Sequence, residues 1–267
     1  MEYGKIVNSL ASNDEIRPSA YVLISNKSAY DVLDKVANSG ENFSSRFYEY
    51  IISSADYTGY SGKTTFQEFA SKLNSTMEEA SCIYAYVNDN NVQNAGLAVF
   101  KGDKMIGTID SLDSIVHLTL TNNLKEALIT IPSPFEDNSF IDLEIKNNKR
   151  TKIDVSMINN TPFITATMYL HANIKTSGKH FDYTEPDNIN TVTYYSKKYI
   201  EDITSSYFYK LSKTYDTDIL ELQRTLSKKC LTNQELKNYR FSEVFKDSFF
   251  KANVNLKIES TNLFSKE

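Results

Sequence analysis

Gly96-Leu-Ala-Val-Phe-Lys-Gly-Asp-Lys-Met-Ile-Gly-Thr-Ile-Asp110 is the stretch from which the fold of this chain is read. An apolar run, Leu97 to Phe100, meets Lys101-Gly102-Asp103-Lys104, and a second apolar run, Met105 to Ile109, follows at once. Gly102 and Asp103 tolerate the positive φ angles of a tight turn, so the segment is expected to be two antiparallel strands closed by that turn. This hairpin is expected to open the larger of two domains.

Downstream, period-two patterns dominate. Ile141, Leu143 and Ile145 alternate with Asp142, Glu144 and Lys146; a turn is expected at Asn147-Asn148; Ile153, Val155 and Met157 then alternate with polar residues. The longest alternation sets Ile164, Ala166, Met168, Leu170, Ala172 and Ile174 against Thr165, Thr167, Tyr169, His171, Asn173 and Lys175, which predicts one buried and one wetter face. Helices are predicted at Leu112–Leu120, Ile189–Leu211, Ile219–Leu226 and Asn233–Phe250, the last capped by Thr232, with a closing strand over Ala252–Ile258. Strands, then helices, then a strand are the grammar of an α+β domain. Upstream, helices are expected at Glu2–Ser12 (Ile6, Val7 and Leu10 on one face), at Ser28–Ser39 (Val32, Leu33 and Val36 inward, Gly40 beyond its end) and at Phe43–Ser53. Another should start at the Thr65/Glu68 capping box. Strands are expected at Ser19–Ser25 and Cys82–Val87. The polar cluster Asn88 to Asn94 marks a boundary, giving a smaller mixed domain at 1–93 and a larger one at 94–267.

Composition narrows the function classes. The chain has 267 residues, 34 acidic and 29 basic side chains, and a net charge of −5, which argues against a nucleic-acid binder. No run approaches the roughly 18 apolar residues of a membrane span. No secretion signal follows Met1. Two cysteines far apart, Cys82 and Cys230, read as free thiols.

The hairpin resembles a signature of the Ger(x)C family, the lipoprotein subunits of nutrient germinant receptors in spore-forming bacteria. Further segments are similar to that family in order. Arg17-Pro-Ser-Ala-Tyr-Val-Leu-Ile24 and Ala29-Tyr-Asp-Val-Leu33 look like its middle domain. Gly96 to Ile258 looks like its last domain, and Asp218-Ile219-Leu220 like an Asp-Ile-Phe-Gly motif in which Glu221 replaces the glycine. The resemblance covers nearly the whole chain. Family members carry a lipoprotein signal, a lipidated cysteine and a first domain upstream, so the expectation is an expressed fragment or a chain without its anchor. The resemblance implies a non-enzymatic subunit at the outer face of the inner spore membrane. It would be lipid-anchored in full and work by protein–protein contacts with two integral membrane subunits.

Candidate chemistry is sparse. Gly59-Tyr-Ser-Gly-Lys-Thr-Thr65 invites a phosphate-loop reading, but the required first glycine is Tyr57 and no strand feeds the loop, so a polar loop into a helix cap is expected. His117, His171 and His180 have no metal-site spacing. Tyr195, Tyr199, Tyr207 and Tyr215 fall at multiples of four and predict a stripe packed on the sheet with hydroxyls at the rim. No catalytic, cofactor-binding or metal-binding residue is assigned, no cofactor is expected, and partner-binding residues are not identified. A solute-binding or adhesion module of a cell-envelope protein is the alternative, and a hydrolase the third option.

Overall fold

A computed structural model describes residues 3–37, 52–88, 92–177 and 185–261. Along the chain lie α1 (Gly4–Ala11), β1 (Leu23–Ser25), α2 (Ala29–Ala37), α3 (Ser54–Thr58), α4 (Phe66–Leu73), β2 (Ser81–Val87), β3 (Val92–Lys101), β4 (Lys104–Ile109) and α5 (Ser111–Leu120). Then come β5 (Ala127–Pro132), β6 (Phe140–Ile158), β7 (Thr161–Ser177), α6 (Pro186–Tyr209) with a π-helical turn at Lys210–Tyr215, α7 (Leu222–Ser227), α8 (Asn233–Tyr239), α9 (Phe241–Val244) and β8 (Phe249–Thr261). Two sheets of four strands result, ordered β1-β2-β3-β4 and β5-β6-β7-β8. Among the described strands only β1 with β2 and β7 with β8 run parallel. The fold is α+β, as expected, and the sheet β5-β6-β7-β8 of the larger part is mainly antiparallel.

The quoted stretch forms the hairpin, with Leu97 opposite Ile109 and Lys101 opposite Lys104. Of its two turn residues only Gly102 takes a positive φ, 56°. The Gly102 N–H donates to the Glu79 carboxylate at 2.6 Å, and the Tyr3 N–H to the Asp103 carbonyl at 2.8 Å. The first apolar run is continuous because β3 is covered on both faces. Leu97 and Val99 enter the core shared with the second sheet, while Ala98 and Phe100 enter a separate cluster with Val7 of α1 and Phe69 of α4. Phe100 meets Phe69 and Tyr3 edge-on at 5.0 and 5.4 Å. The boundary expected at 93/94 falls inside β3, and the hairpin pairs with β2, so the first sheet draws strands from both sides of it.

Between the sheets lies α5, capped by the Asp110 side chain and buried at every residue from Ser114 to Leu120. On the second sheet the inward row from Ile164 to Ile174 is buried throughout. Its alternate residues carry cross-strand polar contacts, such as the ion pair Lys175–Glu144 (2.7 Å) and the contact of His171 Nδ1 with Glu259 (2.9 Å), which contribute little at a wet surface. At the sheet's edge the Val254 N–H of β8 donates to the Glu201 carboxylate of α6 at 3.0 Å, occupying one of the edge strand's free groups.

Several local expectations give way to tertiary pairing. No turn forms at Asn147-Asn148. β6 runs through as a 19-residue strand, bulged between Asn147 and Lys152. Ladder bonds to the unbroken β7 on both sides of the bulges outweigh local turn propensity. The turn is instead Asn159-Asn160, at φ 48° and 62°, the two-residue hairpin type with both angles positive. The helix expected at Ile219–Leu226 begins only at Leu222, because Glu221 is left-handed. The one expected at Asn233–Phe250 breaks at left-handed Arg240 into α8 and α9, and Phe249 already belongs to β8. Ile6, Leu10 and Leu33 are exposed while Val7 and Val32 are buried; the side chain of Val36 lies outside the described residues.

The tyrosine stripe also changes. The inner row of α6 is Val192, Ser196, Ile200, Thr204 and Phe208; Tyr195 is exposed and Tyr207 fully buried, its hydroxyl included in the core rather than at a rim. A step of four overshoots a helical turn by about 40°, so tyrosines spaced that way drift around the helix. The expected helix at Phe43–Ser53, apart from its last two residues, lies outside the described residues, as does Gly40.

Candidate functional site

Where α4, α7 and β6 approach one another, the surface opens into a groove of about 950 Å³. Five cations line it (Lys63, Lys72, Arg150, Arg224, Lys228) against three carboxylates (Glu68, Glu78, Glu221). The local balance is therefore positive in a chain of net charge −5.

The α7 wall is built from the Asp218-Ile219-Leu220 segment. The Asp218 carboxylate accepts N–H bonds from Leu220 at 3.2 Å and Gln223 at 2.8 Å, turning the chain so that Ile219 and Leu220 bury. Burial pushes its carboxyl up to about 6, against the pull of those N–H groups. Glu221 follows at φ 59° and ψ 35°. Glycine adopts this conformation freely, whereas a side chain costs roughly 1–2 kcal/mol. It is the position at which the resembled motif has glycine. Here the glutamate is held by Lys72 at 2.7 Å and Arg224 at 3.3 Å. Burial alone would raise the Glu221 carboxyl, but Lys72 and Arg224 outweigh it and hold it below the usual range. Glu221→Gly is expected to stabilise the protein by about 0.5–1 kcal/mol, since half-exposed ion pairs return less than the relieved strain. A urea melt checks this; a lower midpoint would mean the ion pairs dominate.

Along the opposite wall, Asn122 takes φ 64° after α5. Its Oδ1 accepts the Thr151 N–H at 2.6 Å, and its Nδ2 donates to the Thr151 carbonyl at 3.3 Å. The Thr151 hydroxyl donates to the Thr119 carbonyl at 2.9 Å. At the floor, His117 is buried, with Nδ1 2.8 Å from the Tyr207 hydroxyl. Burial, helped by Lys72, pushes this histidine down to about 3, so it is a neutral hydrogen-bonding link between α5 and α6. Burial also raises Tyr207 well above its ordinary value.

His171 sits far from His117, on the wet face of β7 with Glu259, and His180 lies outside the described residues. In the loop that invites a phosphate reading, Gly59 ends α3 at φ 66°, Lys63 pairs with Asp56 at 2.7 Å, and Thr65 with Glu68 forms the capping box of α4. Both cysteines are free; burial drives the Cys82 thiol far up. Among the described residues no three His, Cys, Asp or Glu side chains gather to hold a metal ion, and no helix is long and apolar enough to cross a membrane. The groove was not legible in the sequence because its cations come from separate elements with no local spacing. The nearest signals are the odd glutamate at 221 and the asparagine pair closing α5.

A family model described as spore germination B3/GerAC-like, C-terminal, matches residues 95–262, and one described as spore germination protein N-terminal domain matches residues 2–87. The chain is similar to the spore germination protein GerQC of Bacillus cereus, 23% identical over 220 residues, covering 82% of this chain and 60% of that protein. It thus spans about three-fifths of that relative's length. A crystal structure of the GerBC protein superposes with a TM-score of 0.76 over 97% of this chain and 74% of the other, at 16% identity, a likeness of fold.

Proposed function

The chain belongs to the GerAC-like spore germination family, and from that premise we propose that it is a non-enzymatic part of a nutrient germinant receptor subunit that acts through protein–protein contacts. In this reading its partners are the receptor's two integral membrane subunits. The full-length protein is held by a lipid anchor at the outer face of the inner spore membrane. Residues 1–93 and 94–267 serve as its two parts, which share the β1-β2-β3-β4 sheet.

The observation that carries the reading is the pair of family models matching in order across both halves of the chain. Its strongly shifted groups support it, because each serves a structural contact: His117 links two helices and Asp218 caps a turn. The experiment is affinity purification of the tagged full-length protein from detergent-solubilised inner spore membranes. Multi-span partners are expected in comparable amounts. Release by a salt wash without detergent, followed by elution alone, would overturn the proposal.

A further inference from the structure

Deepening the docking reading, on which this step rests, we infer that the groove between α4, β6 and α7 receives an acidic polypeptide segment whose carboxylates reach Arg150 and Lys228. Three of the groove's cations already hold carboxylates of this chain: Lys63 takes Asp56 at 2.7 Å, Lys72 takes Glu221 at 2.7 Å and Arg224 takes Glu78 at 2.9 Å. Arg150 and Lys228 line the same walls, and their side chains have no partner among the described residues. A locally positive groove on an acidic molecule is complementary to an acidic ligand and steers its approach.

Arg150 is placed there by a built feature. It lies with Thr151 between Lys149 and Lys152, the paired residues that flank a bulge of β6. The Asn122 side chain holds both backbone groups of Thr151, which locks the bulge. Bulges re-aim side chains and are common beside functional sites. The lining also selects the ligand class. Small-molecule pockets are mostly apolar with a few polar groups, whereas ionised, hydroxyl and amide side chains dominate here. Cations spread over a loop, a helix, a strand and a second helix suit an extended chain bearing several carboxylates.

The test is fluorescence anisotropy of dye-labelled octaglutamate with the full chain, alongside octalysine, citrate as competitor, and vesicles of phosphatidylcholine with phosphatidylglycerol. Octaglutamate is expected to bind, and to bind several-fold more weakly at about 150 mM than at about 20 mM salt. Octalysine should not bind. The pair Arg150→Gln/Lys228→Gln should weaken binding roughly tenfold, while Lys197→Gln/Lys198→Gln, on the exposed face of α6, leaves it unchanged. All four side chains are exposed, and circular dichroism checks that both variants fold. Absence of octaglutamate binding, equal loss from both pairs, displacement by citrate at equal carboxylate concentration, or capture by the vesicles alone would each overturn the proposal. If membrane subunits still co-purify, failure here sinks only the groove. If octaglutamate binds and no subunit co-purifies, the receptor reading fails instead.

Discussion

Gly96→Ala is expected to remove at least about 4 kcal/mol of stability, a large share of the 5–15 kcal/mol typical of a domain. Gly96 sits at φ 113°, where side chains are rarely found, and a Cβ there would lie 1.9 Å from the Ile109 carbonyl oxygen. That oxygen is backbone, so no rotamer change relieves the overlap; the two strands must separate. Separation would damage both cores at once, because Leu97 and Phe100 of the same strand feed different clusters. Gly102→Ala is the control. Its φ is also positive, 56°, but nothing lies within 4 Å of the added carbon, so the loss should be about 1–2 kcal/mol. Urea unfolding of the three proteins measures the contrast. Equal losses would show that backbone angle alone, not the close approach of β4, makes glycine necessary.

A second large effect concerns acid. Neutral His117 has a folded pKa of about 3 against 6.5 ordinarily. The unfolded chain therefore binds the extra proton, and this group's contribution to stability is lost as pH falls from about 6.5 towards 3. Asp218 behaves oppositely: its folded value of about 6 exceeds the ordinary 3.8. There the native state binds the extra proton, so stability is gained as pH falls from about 6 to 4. Each slope is about 1.4 kcal/mol per pH unit. Between pH 6 and 4 the two nearly cancel. Asp218→Asn should therefore lose about 3 kcal/mol relative to the wild type across that window, and His117→Gln should gain about as much. Urea melts at each pH value give the slopes. Lines parallel to the wild type for either variant would mean that its group does not titrate as its burial requires.

Much of the scaffold was legible in the residues. Strict alternation from Ile164 to Ile174 admits only one buried face, and a one-residue slip would turn the whole row to water. The Thr65/Glu68 box satisfies its own helix end within four residues, and the Lys101–Lys104 turn closes two apolar runs with no room for another connection. These signals are local, so no distant partner is needed to read them. The family resemblance added the order of the segments, and the comparisons bear that out.

What could not be read depends on partners far away in sequence. Asn147-Asn148 looks like a turn and is a bulge, because β7 supplies ladder bonds that two residues cannot foresee. Tyr207 looks like a rim tyrosine and is buried, because His117, ninety positions earlier, offers its hydroxyl a partner. The groove is the extreme case. Lys72, Arg150 and Lys228 become neighbours only when the first sheet, β6 and α7 have packed. The residues by themselves determined which strands and helices form and which faces turn inward, because those preferences are settled by steric and solvation energies within a few residues. Tertiary structure decided where charges meet and which polar groups are buried, because electrostatic energy depends on distances that exist only after the chain has closed on itself.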